Sequence, residues 1–282
     1  MAPPSYADLG KSCKDLFNKG YNFGFLKVES TSKSGSNNEL EFKTGASHNV
    51  SSQKLNGNVD IKYKIPAYGL TLTEKWTTDN VLGTTVDIQD QIARGSKITF
   101  DSTYAPHLGK RNAKLKAEWV NSNVKINSDV SLDGGPVLNV AAVIGHGQWL
   151  IGVQGGIDVA SSKLKPTNFS LGHQGSDYTV HSFINNATEL GCTIFHRPAK
   201  NVELGGQLGW TIGDKTTNFG LAAKYAPTSE LLFRGKVDAK SNVALAATHV
   251  ISKDVKLTVS TQFMLTGLEG TQKFGLGLEY TP

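Results

Sequence analysis

The stretch that decides the fold is Val59-Asp-Ile-Lys-Tyr-Lys-Ile65, in which apolar and charged residues alternate strictly. A period of two places successive side chains on opposite faces of a β-strand. The same alternation recurs from Phe25 to the end of the chain, between short breaks rich in Gly, Asn, Ser, Asp or Pro. Further clear examples are Tyr68–Trp76, Lys97–Tyr104, Lys114–Trp119, Val124–Val130, Lys256–Leu265 and Lys273–Tyr280. Segments of roughly ten residues match tilted strands that cross a membrane.

Composition favours a membrane barrel over a soluble sandwich or soluble barrel, which are the alternative interpretations of alternating strands. Only 38% of the 282 residues are hydrophobic, and the mean hydropathy is -0.26, so a thick apolar core is not expected. Trp76, Trp119 and Trp149 lie near segment ends on the apolar parity, the level that amphipathic aromatics favour at a membrane interface. In lipid every backbone group must be paired, so such a sheet must close into a barrel. We therefore predict an all-β transmembrane barrel.

One amphipathic helix is predicted at the front of the chain, over residues 6–20. Tyr6, Leu9, Cys13, Leu16 and Phe17 recur at helical spacing and define one apolar face. A joint bracketed by two glycines follows at residues 20–24, where the chain can turn sharply. The expected organisation is therefore a helix and joint over residues 1–24 and a single barrel domain over residues 25–282.

Catalytic and metal-binding patterns are missing from the sequence. The seven histidines are scattered, no Cys partners one at zinc spacing, and no nucleophile elbow, Walker motif or dinucleotide fingerprint is present. We expect no enzyme activity and no metal site. Two cysteines suit a reducing or cytosol-facing environment, and we expect no secretory signal peptide. The net charge of +5 permits anionic partners without choosing among them, and no site specific for nucleic acid is predicted.

Motifs at both ends of the chain resemble the mitochondrial voltage-dependent anion channel, the eukaryotic porin. They are Tyr6-Ala-Asp-Leu-Gly-Lys, Lys19-Gly-Tyr-Asn-Phe-Gly24, Tyr68–Trp76, Thr78-Asp-Asn80 and Lys273–Tyr280. The resemblance implies a barrel of about 19 strands, closed by one parallel pair, with the N-terminal helix inside the pore. It also implies a voltage-gated, weakly anion-selective channel of the mitochondrial outer membrane that passes ATP, ADP, small ions and metabolites.

The last strand carries a second resemblance. Lys273, Gly275, Leu278 and Tyr280 are similar to the polar-x-Gly-x-x-apolar-x-apolar sorting signal of mitochondrial outer-membrane barrels. Two alternatives to the channel are kept open: the pore subunit of the outer-membrane protein translocase, and a soluble ligand-binding barrel.

Nucleotide-contacting positions are implied by the family resemblance, with weak binding of ATP or NAD and no tightly bound cofactor. Two lysines of the helix match lysines that the family uses on ATP phosphates, and a later region matches by position. The set is Lys11, Lys19, Asn242, Val243, Ala244, Ser260, Thr261, Gln262, Phe263 and Met264. A family Gly-Leu-Lys triplet falls on Gly95-Ser96-Lys97, so Ser replaces Leu at that position.

Glu74 is a carboxylate on the lipid parity of its strand, together with Leu70, Leu72 and Trp76. A charge in hydrocarbon is expensive, so we expect Glu74 to be protonated part of the time and to act as a membrane-facing switch. The family resemblance implies roles for this position in gating, self-association and hexokinase docking. The alternative is a carboxylate that reaches the headgroups and has no role. Membrane lipids and transported nucleotides and metabolites are the other expected partners.

Two apolar residues lie on the lumen parity of neighbouring strands, where charged or polar residues are the rule. They are Val143 and Leu150, and we predict that Leu9 and its face of the helix dock against them. The remaining lumen parity carries more basic than acidic residues. The basic set is Lys27, Lys62, Lys64, Lys75, Lys97, Lys114, Lys116, Lys125, Lys224, Arg234, Lys236, Lys256 and Lys273. A basic excess along a narrow aqueous pore predicts anion preference.

Overall fold

The computed structural model describes residues 2–35, 39–213, 217–266 and 272–282. It contains one α-helix, α1 (Lys11–Asn18), and three short 3₁₀ segments at Tyr6–Asp8, Pro66–Tyr68 and Pro106–Leu108. The strands are β1 (Phe25–Ser34), β2 (Leu40–Asn49), β3 (Leu55–Ile65), β4 (Leu70–Thr77), β5 (Val81–Gln89), β6 (Ser96–Ala105), β7 (Lys110–Val120), β8 (Val124–Ser131), β9 (Val137–His146), β10 (Trp149–Asp158), β11 (Lys163–Gln174), β12 (Tyr178–Asn185), β13 (Glu189–Ala199), β14 (Val202–Thr211), β15 (Thr217–Tyr225), β16 (Leu231–Asp238), β17 (Asn242–Ser252), β18 (Val255–Met264) and β19 (Lys273–Tyr280).

The nineteen strands form one closed sheet, a β-barrel. Strands that are consecutive in sequence pair with one another, and neighbours such as β3–β4 and β17–β18 are antiparallel. Closure comes from β1 and β19, which run parallel from Leu26 opposite Leu276 to Ser30 opposite Tyr280. A closed sheet with an odd number of strands requires one parallel pair. The predicted fold class and strand number are confirmed.

The chain divides into two compact units. One consists of Met1–Asp8, Thr31–Thr44 and Asn56–Ser170, and the other of Leu9–Ser30, Gly45–Leu55 and Leu171–Pro282. In the first, the 3₁₀ segment Tyr6–Asp8 lies against β9 and β10. In the second, α1 packs on β13, β14 and β15. The single domain predicted for residues 25–282 stays a prediction.

The predicted continuous helix over residues 6–20 is wrong in its extent. Gly10 adopts φ 68° and ψ 13°, the left-handed region, and separates Tyr6–Asp8 from α1. A Cβ at Gly10 would lie 2.8 Å from His181 Nδ1 and 3.0 Å from Thr193 Oγ1, so the backbone comes closer to β12 and β13 than any side chain would allow. Tyr68 likewise precedes β4, because Gly69 is left-handed (φ 59°) and ends the 3₁₀ segment there.

Alternation along the strands gives the sheet two distinct faces. We call one the apolar face, because large apolar side chains stand exposed on it; examples are Leu72, Ile144, Ile151 and Leu276. We call the other the charged face, because it carries the cross-strand ion pairs. Within the described residues, no helix is long and apolar enough to cross a membrane.

Candidate functional site: the charged face and the helix on it

Ion pairs run across β5 to β8 on the charged face. Lys97 pairs with Asp87 at 3.2 Å, and Lys116 pairs with Asp101 at 2.5 Å. Farther along, Lys114 Nζ lies 2.9 Å from Asp129, whose carboxylate also accepts a hydrogen bond from an asparagine on β9. Partly exposed pairs contribute about 0–1 kcal/mol each. This face is therefore a hydrated wall and not a packed core.

Helix α1 packs its apolar side on the charged face of β13 to β15. Cys13, Leu16 and Phe17 are buried with Ala222, and Phe195 packs against the cluster. The Cys13 thiol donates to the Gly206 carbonyl oxygen at 3.4 Å. Burial of a large apolar side chain contributes about 1.5–3 kcal/mol, so this cluster fixes the helix to the wall.

Two glycines beneath α1 make that close approach possible. A Cβ at Gly205 would lie 2.8 Å from Leu16 Cδ2, and a Cβ at Gly220 would lie 2.9 Å from Phe17 Cε1. Both distances are shorter than side chains tolerate, so larger residues at these positions would lift the helix. The seat for the helix is thus a surface of small residues, which we call the glycine seat: Gly205, Gly220 and Ala222.

The predicted docking of Leu9 against Val143 and Leu150 can be compared with the burial of these side chains. Val143 is completely buried and Leu9 is 3% exposed; their mutual contact stays a prediction. Leu150 and the buried Pro3 both lie next to Gly145. A Cβ at Gly145 would lie 3.3 Å from Leu150 Cδ2 and 3.4 Å from Pro3 Cβ. The residues that precede the helix therefore contact this part of β9 and β10.

The glycine joint at residues 20–24 is held on the wall by the last strands. Asn22 N–H donates to Ser260 Oγ at 3.0 Å, and Gly24 N–H donates to the Phe274 carbonyl oxygen at 2.8 Å. The backbone of Asn22 passes close to Gly275, because a Cβ at Gly275 would lie 1.7 Å from the Asn22 carbonyl oxygen. Gly275, a residue of the predicted sorting signal, therefore also has a structural role in this fold.

Lys236 on β16 caps the C-terminal end of α1. Its ammonium donates to the Phe17 carbonyl oxygen at 2.7 Å, one of the groups that a helix end leaves without an intrahelical partner. The same ammonium lies 4.5 Å from the centre of the Tyr21 ring and 5.7 Å from that of Phe23, within cation–π range. One strand lysine thus fixes both the helix end and the joint.

The predicted nucleotide residues of β17 and β18 lie side by side but on two faces. Asn242 pairs with Met264, Val243 with Phe263, and Ala244 with Gln262. Ala244 and Ser260 are buried, and Ser260 already binds the joint. The Asn242 amide donates to Asp238 at 2.9 Å. Val243 borders an apolar groove beside Leu221 and Leu245 on the opposite face, so the set cannot act as one surface.

The two predicted lysines of the helix are exposed on α1 and just after it. Lys19 forms an ion pair with Asp15, one turn earlier, at 2.8 Å. In the altered triplet, Ser96 closes the turn before β6, because its hydroxyl donates to the Ala93 carbonyl oxygen at 2.6 Å. Gly95 is left-handed (φ 81°) and Lys97 pairs with Asp87. Nucleotide contact by any of these residues stays a prediction.

Glu74 lies on β4 between Leu72 and Trp76, which are 39% and 62% exposed. Its cross-strand neighbours are Ile61 and Thr84. The Thr84 hydroxyl donates to Glu74 Oε2 at 2.9 Å. The carboxylate therefore shares the apolar face with large apolar side chains and is held there by one hydroxyl.

Arg197 and Glu203 are charged groups that the sequence interpretation did not single out. Arg197 pairs with Glu203 at 2.6 Å, and Lys224 pairs with the same carboxylate at 3.1 Å. The alternation of β14 points to Glu203, whereas Phe195 and His196 break the apolar–polar alternation beside Arg197. Elsewhere among the described residues, no group of His, Cys, Asp or Glu could hold a metal ion.

The geometry defines a class of protein: a membrane-embedded, pore-forming β-barrel. An apolar face this continuous is stable against lipid hydrocarbon, which leaves the charged face for the water-filled interior. The chain belongs to the eukaryotic porin family, whose model matches residues 2–275. The resemblance seen at both ends of the sequence is thereby confirmed.

Similar proteins cover the whole chain. A Caenorhabditis elegans protein named probable voltage-dependent anion-selective channel is 52% identical over 100% of this chain and 99% of its own length. The Rattus norvegicus non-selective voltage-gated ion channel VDAC1 is 41% identical over 99% and 98%. Among solved structures, a mutant of the Rh. blastica porin aligns over 90% of this chain and 95% of its own, with 10% identity and a TM-score of 0.41.

Proposed function

We propose that this protein is a voltage-gated diffusion channel of the mitochondrial outer membrane. It passes small ions, ATP, ADP and other metabolites, with a weak preference for anions, and it carries out no catalysis. The observation that carries this proposal is a closed sheet with an apolar face for lipid and a charged face that bears α1. Family membership supports the voltage-gated channel class.

Anion preference is supported by the charges of this chain itself. Acidic groups of the charged face are largely paired with lysines, as at Asp101, Asp129 and Glu203. Lys236 and Arg234 on β16 add positive charge beside the helix. The relatives differ in their names, since the C. elegans protein is called anion-selective and the rat protein non-selective. The proposal therefore rests on the charges and not on the names.

The mitochondrial outer membrane is supported by the family and by the C-terminal pattern that includes Gly275. The translocase alternative is disfavoured, because relatives that align over the full length are named as voltage-gated channels. A soluble ligand-binding barrel is disfavoured by the exposed apolar side chains of so many strands. Self-association and hexokinase docking at the Glu74 surface remain part of the proposal, as does weak nucleotide binding.

Voltage sensitivity follows from charge that moves in the field. A displaced elementary charge changes the free energy by about 2.3 kcal/mol per 100 mV. Helix α1 and its flanks carry Lys11, Lys14 and Lys19 with Asp8 and Asp15, so a change in the position of this segment would couple to voltage.

Planar-bilayer recording of the purified full chain tests the channel proposal. We expect stepwise insertion of a conducting pore whose conductance falls as the voltage increases, together with measurable ATP flux. A chain that inserts but conducts equally at all voltages would contradict voltage gating. A chain that forms no conducting pore would contradict the channel function itself.

A further inference from the structure

A row of side chains across β4 to β7 marks one edge of the apolar face. Trp76 is the cross-strand partner of Leu82, and Leu82 is the partner of Tyr104. Tyr104 is in turn the partner of Arg111, and cross-strand partners share one face of a sheet. Trp76 is 62% exposed, and Trp and Tyr favour the level of the lipid headgroups. The row therefore places Arg111 at headgroup level, on the side of the sheet that meets lipid.

Arg111 is an exposed cation whose charge the protein does not compensate. Its guanidinium carbon lies 5.1 Å from the centre of the Tyr104 ring, within cation–π range. Among the described residues, no carboxylate lies within ion-pair distance of Arg111 or of the adjacent exposed Lys110. A cation beside hydrocarbon is unfavourable unless an anion or water meets it. This edge of the apolar face thus carries surplus positive charge.

Ser102 supplies a second polar donor, two residues before Tyr104 on the same face of β6. It is partly exposed, and nothing in the described part of the chain accepts a hydrogen bond from its hydroxyl. Its cross-strand partner Ala113 carries only a methyl group, between Arg111 and Leu115 along β7. A polar donor that faces lipid needs an acceptor from the lipid itself.

We propose that Ser102, Tyr104, Arg111 and Ala113 form a binding surface for one anionic glycerophospholipid. We call it the Arg111 surface. The lipid phosphate lies on Arg111, because a guanidinium matches two phosphate oxygens in a two-pronged geometry. An ester carbonyl of the glycerol group accepts from Ser102, since the two donors differ by one residue pair, about 7 Å along the strands.

The surroundings of the Arg111 surface favour a lipid of this class. Deeper on the same face, Phe100 and Leu115 are cross-strand partners and are 40% and 42% exposed, so acyl chains can cover them. A zwitterionic headgroup brings its own ammonium, which the uncompensated charges of Lys110 and Arg111 repel, whereas an anionic headgroup neutralises them. All these residues belong to one compact unit of the chain.

NMR of the full chain, with one copy in each lipid nanodisc, tests the site without contacts to a second copy. Phosphatidylglycerol replaces phosphatidylcholine stepwise at constant total lipid, and the probes are the Arg111 Nε–H group and the Ala113 methyl group. The Ala247 methyl group on the apolar face of β17 is the reference. We expect Arg111 and Ala113 to shift along a curve that saturates at a low fraction of phosphatidylglycerol, and Ala247 to follow the bulk composition linearly. Linear shifts of all three would show general surface charge and overturn the proposal.

Native mass spectrometry of the chain released from the nanodiscs compares variants by the lipid that they retain. Arg111→Gln should lower the preference for phosphatidylglycerol over phosphatidylcholine about tenfold, as expected when one charge-assisted contact is lost. Ser102→Ala should weaken retention of both lipids about threefold, because both carry the ester carbonyl. Lys253→Gln is the matched control, since it removes the same charge from an exposed turn between β17 and β18. Equal losses of preference in Arg111→Gln and Lys253→Gln would overturn a local site.

Two further comparisons separate lipid binding from a structural role of Arg111. Arg111→Lys keeps the charge as a single point, so it should retain the preference for the anionic lipid while losing part of the affinity. Conductance in a phosphatidylcholine bilayer should be the same for the parent chain and for Arg111→Gln, because this side chain lies on the apolar face. A Gln variant that conducts normally and keeps the full preference for phosphatidylglycerol would overturn the site.

Discussion

Gly275 is a residue of the last strand that the joint after α1 passes at close range. Its missing side chain leaves room for the Asn22 backbone, and Gly277 similarly faces the Asn22 side chain, since a Cβ at Gly277 would lie 2.3 Å from Asn22 Nδ2. A turn or strand pattern does not reveal such a requirement, because the partner is distant in sequence. Substitutions here test whether the joint is fixed on the wall.

Gly275→Ala should destabilise the refolded channel by about 1–3 kcal/mol, the range for overpacking at a tight contact. The physical reason is that the new methyl group would lie 1.7 Å from the Asn22 carbonyl oxygen. Thermal unfolding after refolding in vitro measures this without dependence on import. Gly209→Ala on β14 is the matched control, because its nearest neighbour would be 3.7 Å away. Equal stability of the two variants would contradict the fixed joint.

Glu74→Gln should raise the fraction of dimer in lipid. Glu74 is a carboxylate on the apolar face with one hydroxyl partner, Thr84, and a charge is unfavourable next to hydrocarbon. The Gln variant carries no charge at this position, so its apolar face should pack against a second copy at lower cost. Crosslinking of the parent chain and of the variant in the same lipid measures the dimer fraction. An equal dimer fraction in the two would remove this residue as a determinant of self-association.

The sequence predicted the position of a residue where neighbours along the chain determine it. It did not do so where contacts with distant parts of the chain determine it. The face of Glu74 follows from the alternation of its own strand. The left-handed Gly10 depends on His181 and Thr193, which local helical periodicity cannot reveal. Arg197 was missed because the apolar–polar alternation breaks beside it, with Phe195 on its own parity and His196 on the other.

Helix α1 is the element whose position depends most on small residues under it. Gly205→Val should lift the helix, because even a Cβ would lie 2.8 Å from Leu16 Cδ2. We expect Cys13 to become reactive toward a maleimide at least about tenfold faster, in a Cys192→Ser background, since local opening controls access to buried groups. Gly206→Val is the matched control, as its side chain would point to the apolar face near Leu221. Equal rates in both variants would contradict the glycine seat.

The pKa of the Cys13 thiol also tests whether α1 is packed on the strands. Burial raises the pKa of Cys13 to about 11 from its ordinary value of 9.0. The docked state holds the proton more tightly, so this contribution to docking is complete below pH 9.0 and is lost as the pH rises toward 11. Alkylation of Cys13 by iodoacetamide in the Cys192→Ser background should therefore speed up with a midpoint near pH 11. A midpoint near 9.0 would indicate an undocked helix.

The alternation of apolar and charged residues made the fold class of the whole molecule predictable. Alternation gives a sheet two different faces, and a sheet in lipid must close into a barrel. β19 was predicted with its observed limits, Lys273–Tyr280. The parallel closure between β1 and β19 came from family resemblance, because alternation alone does not set strand number or direction. Contacts of the N-terminal segment were the least predictable part, as they join residues far apart in sequence.

The central claim is that the charged face lines an aqueous pore and the apolar face meets lipid. The reversal potential of the open channel in a KCl gradient across a planar bilayer tests it most directly, because the fixed charges of the lining set the sign. We predict a modest preference for chloride that grows as the salt concentration falls and screening weakens. A cation-selective open state would contradict the assignment of the faces.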